Sequence, residues 1–326
     1  MAIQLKLRHP SGLSLGQRIR QNRIAYLFIA PSLLMMILIH LIPTAQALYM
    51  SFLDLRQSTL RLYLGAPFVG LEHYQDILVG LFTGGGSSNI KGLSQALRNA
   101  LWFTLWLNVG TLGLGMVFAL LLNRKFIGRG IARTLVLLPW VVPTFVVGLI
   151  WRYIWLQQGG LANRILVDWL HVVDQPIQWL LNENTRWALL IPAIWRGVPY
   201  TALMLLAGLQ TIPGDLYEAS HVDGATRLQQ FWYITIPMLK PIIALQVMFG
   251  VVFTLFGFGP YNIATSMFGS TNHGSYAELL IPAIARQTFS SQLYGYGAAA
   301  SVLAMFLAMI FVALWYRVFR GALTAQ

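Results

Sequence analysis

Residues able to do covalent chemistry are scarce in this 326-residue chain: ten carboxylates, six histidines, four lysines and no cysteine. Without cysteine there is no disulfide, no thiolate nucleophile and no thiolate-bound metal. None of Lys6, Lys91, Lys125 and Lys240 follows a glycine as the phosphate-cradling G-x-x-x-x-G-K-[ST] pattern requires. The histidines are scattered, with no H-E-x-x-H pair. No catalytic residue, metal ligand or enzyme activity is expected. Two places hold the remaining signal: a polar stretch over 212–237, and Arg196, a charge inside an apolar run.

The stretch begins Ile212-Pro213-Gly214-Asp215-Leu216-Tyr217-Glu218 and ends Ile234-Thr235-Ile236-Pro237. Asp215 and Glu218 have capping-box spacing, so a helix is predicted to start there with Asp215 as its cap. Asp223-Gly224 is a turn signal, and a second helix is predicted from Ala225 until it nears Pro237. Ala219, Ser220, Gly224 and Ala225 are small, which lets such a helix enter a partner's groove closely. A solvated loop without a partner is the alternative.

The elements that position these residues are apolar helices. The chain is 57% hydrophobic and 10% charged, where a soluble domain carries about a quarter charged residues. Six segments can cross a bilayer: Ile24–Met50, Leu101–Leu122, Leu135–Trp155, Trp187–Leu209, Pro241–Gly259 and Gly297–Tyr316. Tyr276–Arg286 is too short to span and reads as interfacial or re-entrant. The run from Ile24 is too long for a signal-peptide core, so it reads as a retained first span. The fold class is all-α, a polytopic membrane protein with six transmembrane helices. The net charge of +12 comes from basic residues clustered in short loops beside apolar runs, which argues against nucleic-acid binding. Segments 1–23, 123–134, 210–240 and 317–326 together hold 13 Lys/Arg against three acids, so both termini are expected on the cytoplasmic side. The domain reading is a basic N-terminal segment 1–23, a first helix with its outer loop over 24–95, a core over 96–320 and a tail over 321–326. The outer loop contains a flexible Gly84-Gly85-Gly86-Ser87-Ser88 stretch.

Within 212–237, Glu218, Ala219, Gly224, Ile234 and Pro237 fall at the spacing Glu-Ala-Ala, three residues, Gly, nine residues, Ile-x-Leu-Pro. This resembles the cytoplasmic loop of permeases of binding-protein-dependent ABC importers. Ser220 replaces the second Ala and Ile236 the Leu. Ser51-Phe52, Phe68-Val69-Gly70-Leu71-Glu72-His73-Tyr74 and Asn99-Ala100-Leu101-Trp102-Phe103-Thr104 resemble the sugar-permease branch, specifically the half related to the larger maltose-transporter permease and the glycerol-3-phosphate permeases. His73 departs from that branch's usual Asn.

The resemblance implies an ABC type I permease fold in the bacterial inner (plasma) membrane, surrounded by lipid. It implies a homologous second permease, a dimer of ABC ATPases that binds the ATP and Mg, and a periplasmic or lipid-anchored solute-binding protein. The implied cargo is a sugar, oligosaccharide or polyol glycoside. A non-sugar solute such as glycerol phosphate is the alternative, and a secondary transporter or channel a more distant one. Glu218, Ala219, Ser220, Asp223, Gly224 and Ala225 would couple to the ATPase, with Glu218 either orienting the loop or only capping its own helix. Trp195, Arg196, Gly197 and Tyr200 on the fourth span, with Phe256, Gly257, Phe258 and Tyr261 after the fifth, would line the cargo path. The branch often has Asn at the positions of Gly257 and Pro260, and a Gly-Gly-Pro where this chain has Phe268-Gly269-Ser270. Helix packing is the alternative role for the aromatics; snorkelling outward or bonding to loop carbonyls is the alternative for Arg196.

Overall fold

The computed structural model of the protein describes residues 22–83, 88–257, 259–269 and 273–324. The chain divides into two units, Met1–Met50 and Ser51–Gln326. The basic residues before Asn22 and the glycines 84–86 lie outside the described residues. All regular elements among the described residues are helical, and Leu53–Phe68 and Arg56–Leu293 are isolated antiparallel bridges. Among the described residues five helices are long and apolar enough to cross a bilayer, and a sharply bent pair brings the number to six if it is counted as one span.

In the first unit, helix α1 (Arg23–Met50) is apolar on every face and buries no residue. Such a helix needs lipid or another helix around it. A π-helical turn at Ile37–Leu41 interrupts it, and Ile42 donates five residues back to the Ile37 carbonyl, just ahead of Pro43. Proline has no N–H and crowds the preceding turn, and the wider turn takes up that misfit.

The second unit contains α2 (Glu72–Thr83), α3 (Ser88–Asn123), α4 (Arg129–Val141), α5 (Thr144–Ile154), α6 (Asn184–Leu209), α7 (Gly214–Val222), α8 (Arg227–Leu255), α9 (Gly259–Phe268) and α10 (Tyr294–Thr324). Ile77 of α2, Phe103 of α3, Val147 of α5, Leu189 of α6, Met267 of α9 and Ala299 of α10 share one core, each at most 2% exposed. Helices α3 and α6 pack together most extensively. A methyl on Gly110 would lie 2.5 Å from Ile194 Cδ1, and one on Gly115 2.8 Å from Thr201 Cγ2. The two backbones therefore approach as closely as small residues permit. The segment after α1 joins this unit rather than standing apart: Leu53 and Leu55 are 1% exposed, and Gly295 N–H donates to the Leu55 carbonyl at 3.1 Å.

Three expectations need correction. The third span, read as one helix over Leu135–Trp155, is two helices at 92°, α4 and α5. Pro143 forces it: the residue before a proline is driven out of helical conformation, and Val142 is extended at φ −62°, ψ 127°. The fifth span is expected to start at Pro241, with a separate loop helix stopping near Pro237. Instead α8 runs from Arg227 to Leu255 without a stop, because a π turn at Phe231–Thr235 carries the chain past Pro237 as in α1. The cap of α7 is the third. Its N-cap is Pro213, with no side-chain cap bond, and Asp215 sits inside the first turn. There its charge still complements the helix dipole. The reciprocal capping box lies further on, between Thr226 and Gln229 at the start of α8.

The segment 274–290 folds onto α3. Asn99 Nδ2 donates to the carbonyls of Ser275 at 2.7 Å and Glu278 at 3.0 Å. Arg286 grips the Glu278 carboxylate with Nε at 2.6 Å and an Nη at 2.8 Å. These hydrogen bonds raise the Arg286 pKa above its ordinary value, with burial working against them.

Candidate translocation cavity and coupling loop

The loop between α6 and α8 is a rooted structure. Ile212 and Leu239 join the apolar cluster at the ends of α3 and α6, and Tyr217 packs against it. The Tyr217 hydroxyl pairs with Thr235 Oγ1 at 2.9 Å. Ser220 Oγ donates to the Tyr217 carbonyl at 2.8 Å and accepts from Gln230 Nε2 at 2.9 Å, which clips α7 to α8. The end of α7 is a Schellman motif: Ala225 N–H reaches the Ser220 carbonyl, Gly224 N–H reaches that of His221, and Gly224 has φ +76°. Only glycine takes that conformation without strain. Ala219 and Asp223 are exposed on the same turn, Asp223 as the C-cap, and Glu218 is exposed without a hydrogen bond or ion pair among the described residues. Val222 at the tip is 89% exposed, and Leu228 and Tyr233 are also largely exposed.

Deeper along the helices lies an open cavity of about 380 Å³ walled by α3, α4, α5, α6, α8 and α9. Arg196 lies 12 residues into α6, about 18 Å along it by helical rise, so it is mid-span rather than near an end. Its Nε donates to the Val142 carbonyl at 3.4 Å, a long bond to the broken backbone between α4 and α5. Non-helical backbone at membrane depth is tolerated where it is buried or lines a cavity, and Thr144, two residues on, lines this one. Trp140 and Tyr200 stack across it at 5.9 Å between ring centres, and Phe249 stacks on Phe253 at 5.9 Å. Amides and hydroxyls complete the wall. Asn108 Nδ2 donates to the Thr104 carbonyl and Thr111 Oγ1 to that of Leu107, each at 2.8 Å. Gln246 is buried, and its Nε2 has no partner.

The family described as binding-protein-dependent transport system inner membrane component matches residues 111–324. The chain belongs to that family. The trehalose/maltose transport system permease protein of Thermococcus litoralis is 31% identical over 92% of this chain and 95% of its own length. The sulfoquinovosyl glycerol transport system permease protein of Agrobacterium fabrum is 32% identical over 94% and 92%. The trehalose transport system permease protein of Mycobacterium tuberculosis is 29% identical over 94% and 92%. Among solved structures, a chain of a bacterial ABC transporter involved in import of the acidic polysaccharide alginate shares the fold, with a TM-score of 0.75 at 22% identity over 94% of this chain and 98% of that one.

In this permease the cavity gathers Arg196, Gly197 and Tyr200 from the fourth span. Trp195 lies instead against a separate apolar groove with Phe118, Pro139 and Trp151, since neighbouring helical positions face about 100° apart. Phe256 packs on the main core, Tyr261 faces the His273 ring at 5.5 Å, and neither they nor Gly257 line the cavity. A methyl on Gly257 would lie 2.3 Å from the Phe253 carbonyl, so this glycine serves the sharp exit from α8. Phe258 lies outside the described residues. Pro260 does line the cavity, together with Asn108, Thr111 and Gln246, which no sequence motif marks. Their signal is a polar amide or hydroxyl inside an apolar span, a feature that points to a bundle interior or a cavity.

Proposed function

We propose that this permease is the translocating subunit of an ATP-driven ABC importer for a carbohydrate, working beside a homologous second permease. A dimer of separate ABC ATPases, which binds the ATP and Mg, docks on the α7 loop, and a solute-binding protein delivers cargo from the opposite side. Both termini and the loop then lie in the cytoplasm, in keeping with the Lys/Arg excess over 123–134 and 210–240.

The observation that carries this reading is α7 itself. Its root is fixed by the Tyr217–Thr235 and Ser220–Gln230 bonds, while Glu218 and Val222 are left outward and bare. A helix held at its base that presents an exposed valine among charged and polar residues at its tip is built to enter a groove. The cargoes for which the relatives are named, trehalose, maltose and a sulfoquinovosyl glycerol, support a carbohydrate. Stacked rings and scattered amides around the cavity fit the apolar faces and hydroxyl edges of a sugar. Because the chain lacks cysteine, Val222→Cys gives a unique thiol. A short thiol-to-amine cross-linker on membranes holding the whole importer is expected to join it to the ATPase subunit. Cross-linking that misses the ATPase, with the complex intact, would contradict the docking.

A further inference from the structure

We infer that Arg196 is an anion-recognising residue of the cargo path, so that the cargo carries a carboxylate, sulfonate or phosphate group; this rests on reading the cavity as the path of a carbohydrate. A guanidinium keeps its charge in any protein environment. An intramembrane cation of this kind ordinarily pairs with a carboxylate or a backbone carbonyl, or faces the bundle interior or a water-filled cavity. Arg196 has no carboxylate partner among the described residues; the ion pairs there are Asp54–Arg56 and Glu278–Arg286. No acid lines the cavity, although all ten of the chain's acids are described. The Val142 carbonyl engages only Nε, and at 3.4 Å. The guanidinium's terminal nitrogens therefore have no protein acceptor among the described residues.

Gln246 supplies an independent second donor. It is 9% exposed, its Nε2 is buried without a partner, and it lies on the wall of the same cavity, on α8. A buried N–H without an acceptor is costly, and here the cavity is where an acceptor can come from. The cavity thus holds one permanent positive charge and no negative group, with a buried, unpartnered amide in its wall. A sugar hydroxyl would leave that charge uncompensated. An oxyanion neutralises it and accepts two parallel bonds from the guanidinium fork.

The test is direct binding to the purified importer complex, read by tryptophan fluorescence, since Trp140 stacks on Tyr200 in the cavity. The probes are a neutral glucose disaccharide, the same disaccharide with one glucuronate, and glycerol phosphate. The glucuronate form should bind at least tenfold tighter than the neutral one, and raising salt should narrow the ratio. Arg196→Gln should abolish the preference, Arg196→Lys should keep part of it, and Gln246→Glu should weaken the acidic probe several-fold more than the neutral one. Arg196→Lys and Gln246→Glu keep the question answerable if Arg196→Gln fails to assemble. Equal binding of both disaccharides, unchanged in Arg196→Gln, would overturn anion recognition and leave the carbohydrate reading intact. Binding of glycerol phosphate alone would uphold the anion and overturn the carbohydrate. Binding of no probe would overturn both.

Discussion

At the residue scale, the α7 loop depends on one side chain where this chain departs from the family pattern. Ser220 stands where the resembling motif has Ala, and its hydroxyl joins Tyr217 to Gln230. Ser220→Ala restores the family residue but leaves Gln230, 8% exposed, with an orphaned Nε2. The expected cost is about 1 kcal/mol, confined to the loop. Hydrogen exchange should read it as roughly fivefold faster exchange of amides over 217–230, with the spans unchanged. Unchanged exchange would mean that the clip holds nothing. The Asp223-Gly224 turn was legible because its φ demand is local to Gly224. The helix cap was not. Asp215 and Glu218 have the right spacing, but Pro213 fixes where α7 starts, and Thr226 with Gln229 carries the capping box instead.

At the element scale, apolar run length located the spans because lipid demands about 20 such residues wherever a helix crosses. The interruptions were harder to read. Pro139 and Pro143 are both in or beside the third span, yet α4 continues through Pro139 and breaks only at Val142-Pro143. What decides between them is tertiary: α5 must turn to lie on α9, where a methyl on Gly148 would come 2.4 Å from the Ile263 carbonyl. Helix approach also shapes the cavity. A Cβ at Gly250 on α8 would lie 1.9 Å from Asn108 Oδ1 on α3. Gly250→Val should therefore push Asn108 out of the wall or part the two helices. The expected outcome is uptake reduced at least tenfold in an importer that still assembles and still hydrolyses ATP at its basal rate, measured in proteoliposomes. Wild-type uptake in that variant would show that the approach of α3 and α8 does not shape the path.

At the scale of the whole molecule, loop and cavity share their helices. Helix α6 carries Arg196, Gly197 and Tyr200 on the cavity wall and ends at Leu209, beside the loop's root at Ile212. Helix α8 leaves the loop at Arg227 and brings Gln246, Phe249 and Phe253 to the same wall. From Arg196 to Leu209 is 13 residues, roughly 20 Å of continuous helix with Pro199 inside it. A displacement of α7 is expected to reach the cavity wall through both α6 and α8. An ATPase that binds one arrangement of the loop more tightly would shift the cavity between two states by that difference in affinity. None of this was legible from motifs, because it lies in which faces of α6 and α8 turn inward.

The most direct measurement is cargo-stimulated ATP hydrolysis and uptake by the whole importer in proteoliposomes, with Gly224→Val and Glu218→Ala in this chain. Valine cannot hold φ +76° without about 1–2 kcal/mol of strain, so the first variant breaks the Schellman end of α7. The second removes the bare carboxylate and leaves the fold alone. Both should lower stimulated hydrolysis and uptake together, at least tenfold, while the chain inserts and assembles at wild-type levels. Wild-type hydrolysis and uptake in both variants would contradict the account, because the loop would then not be the element that couples ATP to the cavity.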